Sequence, residues 1–222
     1  MKSVSKPIII IGGGGHAGVI LDILKSKNRE ILGFSSIQKV SDHSIFNNIP
    51  QLMDDEAVFD FDPNDVVLVN GIGPSLEGNL RHKILMKFSD HGFQFEKVIA
   101  ASAYVSSFSS IGPGVQIFPN ASVQTEAIIL EHAVINTGVI IEHNCLVGAR
   151  SHIAPGAILC GQVNVGSDVY IGAGVKIIQN ISIGSGSIIA MGASVVRDVP
   201  ANCLLIPGKP IMAINSNTKL EQ

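Results

Sequence analysis

An aliphatic residue stands at every sixth position from Val105 to Val195 without a miss, through Ile111, Ile117, Val123 and Ile129 to Ile183 and Ile189, sixteen hexads in phase. Four residues after most of these stands a small or aliphatic partner, among them Val115, Ala121, Ala127, Cys145, Val163 and Val175. Neither a helical period nor strand alternation produces this spacing. A six-residue period with two inward positions is the signature of a parallel β-helix, each hexad being one short strand and a corner. Three hexads close a triangular coil, so residues 18 apart in sequence stack at the interstrand spacing of about 4.8 Å. Gly148, Gly166 and Gly184 obey that interval and Gly112 falls in the same phase, which reads as a corner demanding unusual backbone angles. The pattern predicts about five coils.

The chain before the hexads is organised differently. Pro7 to Ile11 reads as a buried parallel strand, Gly12 to Gly18 as a glycine turn, and Val19 to Lys25 as an amphipathic helix. Gly13, Gly15 and Gly18 satisfy G-x-G-x-x-G between a strand and a helix, where bare amides can approach a phosphate. A dinucleotide site would also place an acidic residue after the second strand; Ile31 to Ser36 ends in Ser35 and Ser36, so a mononucleotide suits the turn better. Further strands are expected over Asp65–Val69 and Phe95–Ile99, with a helix over Asn79–Ser89 between them. Gly71-Ile72-Gly73 should lie beside the first glycine turn, and Arg81 reads as a solvated helix residue within reach of a phosphate. The predicted organisation is an α/β Rossmann-like domain over 1–102, a β-helix over 103–212 and a polar tail over 213–222.

A net charge of −3 with charged residues at 15% of the chain offers no basic field for nucleic acid or anionic lipid. No apolar run approaches a membrane span, and Ile8–Ile11 is too short for a signal-peptide core, so a cytoplasmic protein is expected. Cys145, Cys160 and Cys203 read as reduced structural thiols.

Among the coils' mostly small or amidic outward residues, Glu131, His132, Glu142, His143 and His152 stand out. Histidine is the side chain best suited to general-base work near neutral pH, which makes His143 the candidate. One coil above it comes Gly161, which has no side chain to block a substrate and whose amide suits an oxyanion.

The pairing of Gly12-Gly13-Gly14-Gly15-His16-Ala17-Gly18 with hexads, with Ile135-Asn136-Thr137-Gly138, with Ile141-Glu142-His143-Asn144-Cys145 and with Ser151-His152-Ile153-Ala154-Pro155-Gly156 resembles the bacterial nucleotide-sugar acetyltransferases. These include UDP-4-amino-sugar N-acetyltransferases, GDP-perosamine N-acetyltransferase and enzymes of the sialic acid O-acetyltransferase type. The resemblance runs through Gly208-Lys209-Pro210. It implies a Rossmann-like domain carrying a nucleotide-linked amino sugar, followed by a left-handed parallel β-helix of hexapeptide repeats that forms a homotrimer and takes acetyl-CoA as co-substrate, without a metal. By that resemblance His143 is the general base and His152 contacts acetyl-CoA, with Ala173 and Met191, one coil apart, along its pantetheine arm. Gly15, His16, Ala17, Ser35, Ser36 and Gly73 belong to the nucleotide-sugar site, and Asn136 faces the sugar.

Two departures stand out. The residue after the base is usually acidic in the family and here is Asn144, which orients a ring nitrogen without supplying charge. The acidic pair after the second strand is here Ser35-Ser36. The leading expectation is an acetyl-CoA-dependent N-acetyltransferase acting on the amine of a nucleotide-linked 4-amino-4,6-dideoxy sugar by direct transfer. The alternatives are an O-acetyltransferase of a sialic-acid-like sugar and a non-catalytic nucleotide-sugar-binding trimer. A zinc-dependent trimer of the γ-carbonic anhydrase type is disfavoured by the spacing of His132, His143 and His152.

Overall fold

The computed structural model describes residues 5–40, 45–75, 79–209 and 211–213. The expected polar tail lies, beyond Ala213, outside them. The chain divides into two compact units between Ala101 and Ser102.

The first unit is built on β1 (Ile8–Ile11), whose four isoleucines are completely buried. A strand covered on both faces belongs at the centre of a parallel sheet. It pairs in parallel with β2 (Ile31–Ser35) on one side, and β3 (Gln51–Leu52) follows β2. On the other side it pairs with β4 (Val67–Asn70), giving the order β3-β2-β1-β4. Helix α1 (Gly15–Ser26) buries Ala17, Ile20, Leu21 and Leu24, one stripe at helical spacing. Helix α2 (Leu80–Ser89) buries Ile84, Leu85 and Phe88 in a core shared with Phe93 and Phe95. β3 and the 3-10 turn Glu56–Asp60 carried no sequence signal that distinguished them from loop.

The second unit is a prism of two-residue parallel strands in three walls. The first wall runs from Tyr104–Val105 through Ile140–Ile141 to Ser194–Val195, and the second from Ser110–Ile111 through Leu146–Val147 to Ser182–Ile183. The third runs from Gln116–Ile117 through His152–Ile153 to Ile188–Ile189. Within these spans each pairing joins residues 18 apart, as in Ile140 with Ile158 or His152 with Tyr170. From Ile117 onward the inward hexad residues are all buried, whereas Val105 and Ile111 are half-buried. Two buried inward positions hold serine, and each hydroxyl is paired: Ser151 Oγ donates to Gly166 O at 2.7 Å and Ser187 Oγ to Pro200 O at 2.8 Å. Beyond Val195, Cys203–Leu205 continues the third wall in parallel, and Met212–Ala213 pairs antiparallel with it.

The expected reason for the spaced glycines needs correction. The left-handed backbone recurs at every sixth residue from Gly114 to Gly192, and Asn120, Glu126, Asn144, Arg150, Gln162 and Asp168 adopt it as well as glycines. Gly148, Gly166 and Gly184 are absent from that series. They are required by close approach: a Cβ on Gly148 would lie 2.3 Å from the Gly166 carbonyl carbon, and one on Gly184 2.2 Å from Ala201 N.

These two uses of glycine predict opposite outcomes. Gly148→Ala, forced against backbone, should destabilise the protein by about 1 to 3 kcal/mol. Gly156→Asn, at φ +68° with open space around its Cα, should stay within about 1 kcal/mol of wild type, because asparagine tolerates this region. Thermal unfolding of both variants checks the contrast; equal losses would remove the steric argument.

Candidate active site

The corner between the first and second walls is where coil stacking assembles a chemical group. Glu142-His143-Asn144 forms that corner, with Gln124-Thr125-Glu126 one coil before it and Cys160-Gly161-Gln162 one coil after. Asn144 N–H donates to Thr125 O at 3.1 Å and Gln162 N–H to His143 O at 2.9 Å, so backbone bonds fix the register. Asn144 sits at φ +58°. The chain therefore turns between the two side chains, and adjacent residues, which on a flat strand would point apart, come into contact.

His143 Nδ1 lies 2.8 Å from Asn144 Oδ1. The amide's other end, Asn144 Nδ2, donates to Glu126 Oε2. A carboxylate accepts only, so that bond fixes the amide with Oδ1 toward the ring. An amide oxygen also accepts only, so Nδ1 carries the proton and Nε2 keeps its lone pair. His143 is exposed, and its Cε1 and Nε2 lie 2.6 Å from where a Cβ on Gly161 would stand. The basic nitrogen thus faces the gap that Gly161 leaves. Gly161 N–H makes no hydrogen bond among the described residues.

His152 differs in every respect. It lies on the third wall, buried, with its ring edge-on to Tyr170 at 4.9 Å between centroids. Asn136 Nδ2 lies 3.2 Å from His152 Nε2, and Asn136 Oδ1 accepts from Thr137 N–H at 2.8 Å, which fixes that amide too. His152 Nε2 therefore accepts a bond already, whereas His143 Nε2 makes no hydrogen bond among the described residues. Ala173 and Met191 stack along the corner between the third and first walls, where Gly192 N–H donates to Ala173 O at 2.9 Å. Met191 is 72% exposed. Cys145 is buried, and desolvation pushes its thiol up to about 11, so it offers almost no thiolate nucleophile near pH 7. Among the described residues no group of three or more His, Cys, Asp or Glu lies close enough to hold a metal ion.

The first unit holds a cavity of about 560 Å³ at the carboxyl ends of its strands, lined by Gly12, Gly13, Gly14, Ser35, Ser36, Lys39 and Asp55 among others. Gly15 opens α1, whose first turn carries no acidic residue and no side-chain cap, leaving its amides and dipole to an anion. Gly15, His16 and Ala17 do not line the cavity; Ala17 is buried, and a Cβ on Gly71 would lie 2.7 Å from its own. Gly73 lies beside His16. Gly71 N–H donates to Ile11 O at 2.7 Å, so the second glycine loop does lie beside the first. Arg81 is not a solvated helix residue: its guanidinium donates to Asn70 O and Ile72 O at 3.2 and 2.7 Å, and burial lowers it to about 10. It braces the loop.

Sequence reasoning missed Asp55. The strand end offers only serines, yet Ser35 Oγ donates to Asp55 Oδ1 at 2.6 Å. A carboxylate 20 residues further on thus reaches the place where an acidic residue was sought. Only the pairing of β3 alongside β2 brings it there.

Comparison with known proteins supports both units. Residues 7–88 match the PglD N-terminal domain, and residues 138–177 and 162–197 match the hexapeptide repeat of succinyl-transferase. A His-to-Ala variant of GDP-perosamine N-acetyl transferase from Caulobacter crescentus, solved with CoA and GDP-perosamine, superposes with a TM-score of 0.84 at 30% identity, covering 95% of this chain and 99% of that one. The chain belongs to the bacterial nucleotide-sugar acetyltransferases. Within that family, the acetyltransferase domain of PglB from Neisseria gonorrhoeae, solved with acetyl coenzyme A, matches at 25% identity and TM-score 0.80, covering 90% of this chain and 96% of that one. WeeI from Acinetobacter baumannii shares the fold at 20% identity, with a TM-score of 0.80, 94% of this chain and all of that one. This acetyltransferase has no helix among the described residues long and apolar enough to cross a membrane.

If Gly161 is kept small to leave room for His143, Gly161→Ala should displace the ring and lower turnover at least tenfold, an order-of-magnitude expectation for a misplaced base. The unfolding midpoint should stay near wild type, since the added methyl meets a side chain at an exposed corner rather than backbone. Wild-type turnover in Gly161→Ala would show that the ring position is not critical.

Proposed function

We propose that this protein transfers the acetyl group of acetyl-CoA to the amine of a nucleotide-linked 4-amino-4,6-dideoxy sugar, with His143 as general base. The observation that carries this reading is the exposed His143 ring, protonated at Nδ1 by its bond to Asn144 and free at Nε2. The amine nitrogen attacks the thioester carbonyl and Nε2 takes its proton; a C–N bond forms, the C–S bond breaks, and CoA leaves as a thiolate that is then protonated. The Gly161 amide, which makes no hydrogen bond among the described residues, suits the tetrahedral oxyanion as a donor. Direct transfer agrees with the inert Cys145. The relatives' bound CoA, acetyl coenzyme A and GDP-perosamine supply the substrate classes.

In the first unit, the uncapped N-terminus of α1 and Lys39 suit a diphosphate. The second oxygen of Asp55 suits a ribose hydroxyl or base N–H. For acetyl-CoA, His143 and the pair Ala173 and Met191 lie on different edges of the prism. A wall of six residues separates them by up to about 20 Å. A thioester at His143 is therefore reached by a pantetheine arm lying on those residues of a second copy, and a trimer closes the site from two chains. Exposed apolar side chains follow the same edges: Phe108, Ile178 and Val196 beside the His143 line, and Met191 on the other.

Acetyl-CoA consumption measured against UDP- and GDP-linked 4-amino sugars and a sialic-acid-like sugar tests substrate and reaction together; turnover only with the last would replace N- by O-acetylation. His143→Ala should lower kcat by about a hundredfold or more with little change in the acetyl-CoA KM, and a loss below fivefold would remove His143 from the mechanism. His152→Ala should act mainly on the acetyl-CoA KM. Sedimentation should give three times the 23.4 kDa chain mass, and a fully active monomer would refute the shared site.

A further inference from the structure

The family's usual acidic neighbour of the base is missing here, yet the stacking of coils supplies a carboxylate from elsewhere. We infer that Glu126, one coil before Asn144, is a positioning residue for His143, acting through the Asn144 amide to fix the ring's tautomer and to favour its charged form. This rests on His143 being the base.

The three groups form a directional chain. Glu126 accepts from Asn144 Nδ2, and Asn144 Oδ1 accepts from the ring at 2.8 Å. Without an acceptor-only partner the amide would be free to turn its NH2 toward the ring, and Nδ1 would then become the acceptor. The proton would move to Nε2, and the nitrogen facing the Gly161 gap would have no lone pair to offer. The carboxylate also stabilises the imidazolium formed as the amine loses its proton. Two hydrogen bonds and an amide place that charge roughly 7 Å from the ring.

Side-chain pairs between stacked corners also occur elsewhere. Arg150 and Asp168, likewise 18 apart and both left-handed, pair through two hydrogen bonds at 2.8 and 2.6 Å. That pair ends on itself, whereas the Glu126 pair continues to an exposed histidine. Glu126 also holds φ +58°, a backbone region uncommon for a side chain of this kind. The other ionisable groups on the His143 corner are Glu142, the preceding residue, and the thiols of Cys145 and Cys160. The Glu142 charge acts on Cys145, helping to raise that thiol, and among the described residues Glu142 makes no hydrogen bond to the ring.

The test compares Glu126→Gln, which removes the charge at constant size, with Glu126→Gly, which removes the side chain while suiting the left-handed corner. Asp168→Asn serves as a control for breaking a stacked pair. Both Glu126 variants should lower kcat roughly three- to thirtyfold with the acetyl-CoA KM unchanged. Activity falls on the acid side as His143 gains a proton, and loss of the carboxylate makes that protonation harder. The acidic limb of kcat/KM should therefore move to lower pH. Ring-nitrogen chemical shifts of His143 should show the Nδ1-protonated form dominant in wild type and depleted in Glu126→Gly. Asp168→Asn should leave the limb in place, and in a His143→Ala background Glu126→Gln should have no further effect. If His143→Ala costs a hundredfold but the Glu126 variants keep the wild-type limb and tautomer, the positioning role is wrong and the base stands. If His143→Ala costs less than fivefold, the base assignment itself falls.

Discussion

Stacking of one coil on the next, through parallel strand pairs that join residues 18 apart, is the constraint on which the rest of the second unit depends. It requires every coil to have the same length, and so every hexad to turn its corner in the same way. The left-handed residue at each sixth position provides that turn. The residues holding it range from glycine and asparagine to Glu126, Arg150 and Gln162. The conformation is imposed by the stack rather than chosen by each residue's preference. A side chain that resists the left-handed region is accepted because its neighbours above and below over-determine it.

The candidate active site is a local reading of that register. At one corner, residue 143 meets the bare edge of residue 161 while residue 144 meets the carboxylate of residue 126. The histidine is thus held from below through an amide and left open above. Stacking converts a sequence interval into a contact, so an acidic group can stand 17 residues from the histidine in sequence and still belong to its hydrogen-bond chain. The same register sets Ala173 under Met191 on another edge of the prism.

In the first unit the constraint is tighter at the backbone. Four buried isoleucines fix the central strand, and the two glycine loops meet at its carboxyl end with Gly71 against Ala17 and Ile11. Arg81, half-buried and bonded to two loop carbonyls, stiffens the second loop. Its long apolar stem and forked donors suit this task better than the solvated role its place on an amphipathic helix suggested.

The sequence by itself determined the prism, its three-hexad coil, the inward residues, the glycine turn after the first strand and the pairing of His143 with Gly161, because each follows from a fixed period or a local backbone requirement. It also showed that Asn144 replaces an acidic residue, and read this as a loss of charge. Only the tertiary structure decided where the carboxylates are. Glu126 reaches Asn144 because both turn left-handed on one corner, and Asp55 reaches Ser35 because β3, paired alongside β2, returns the chain to that strand end. The reason is the same in both cases. A period predicts which backbones are adjacent, but the direction of a polar side chain depends on the corner geometry and partners that exist only once the chain has closed.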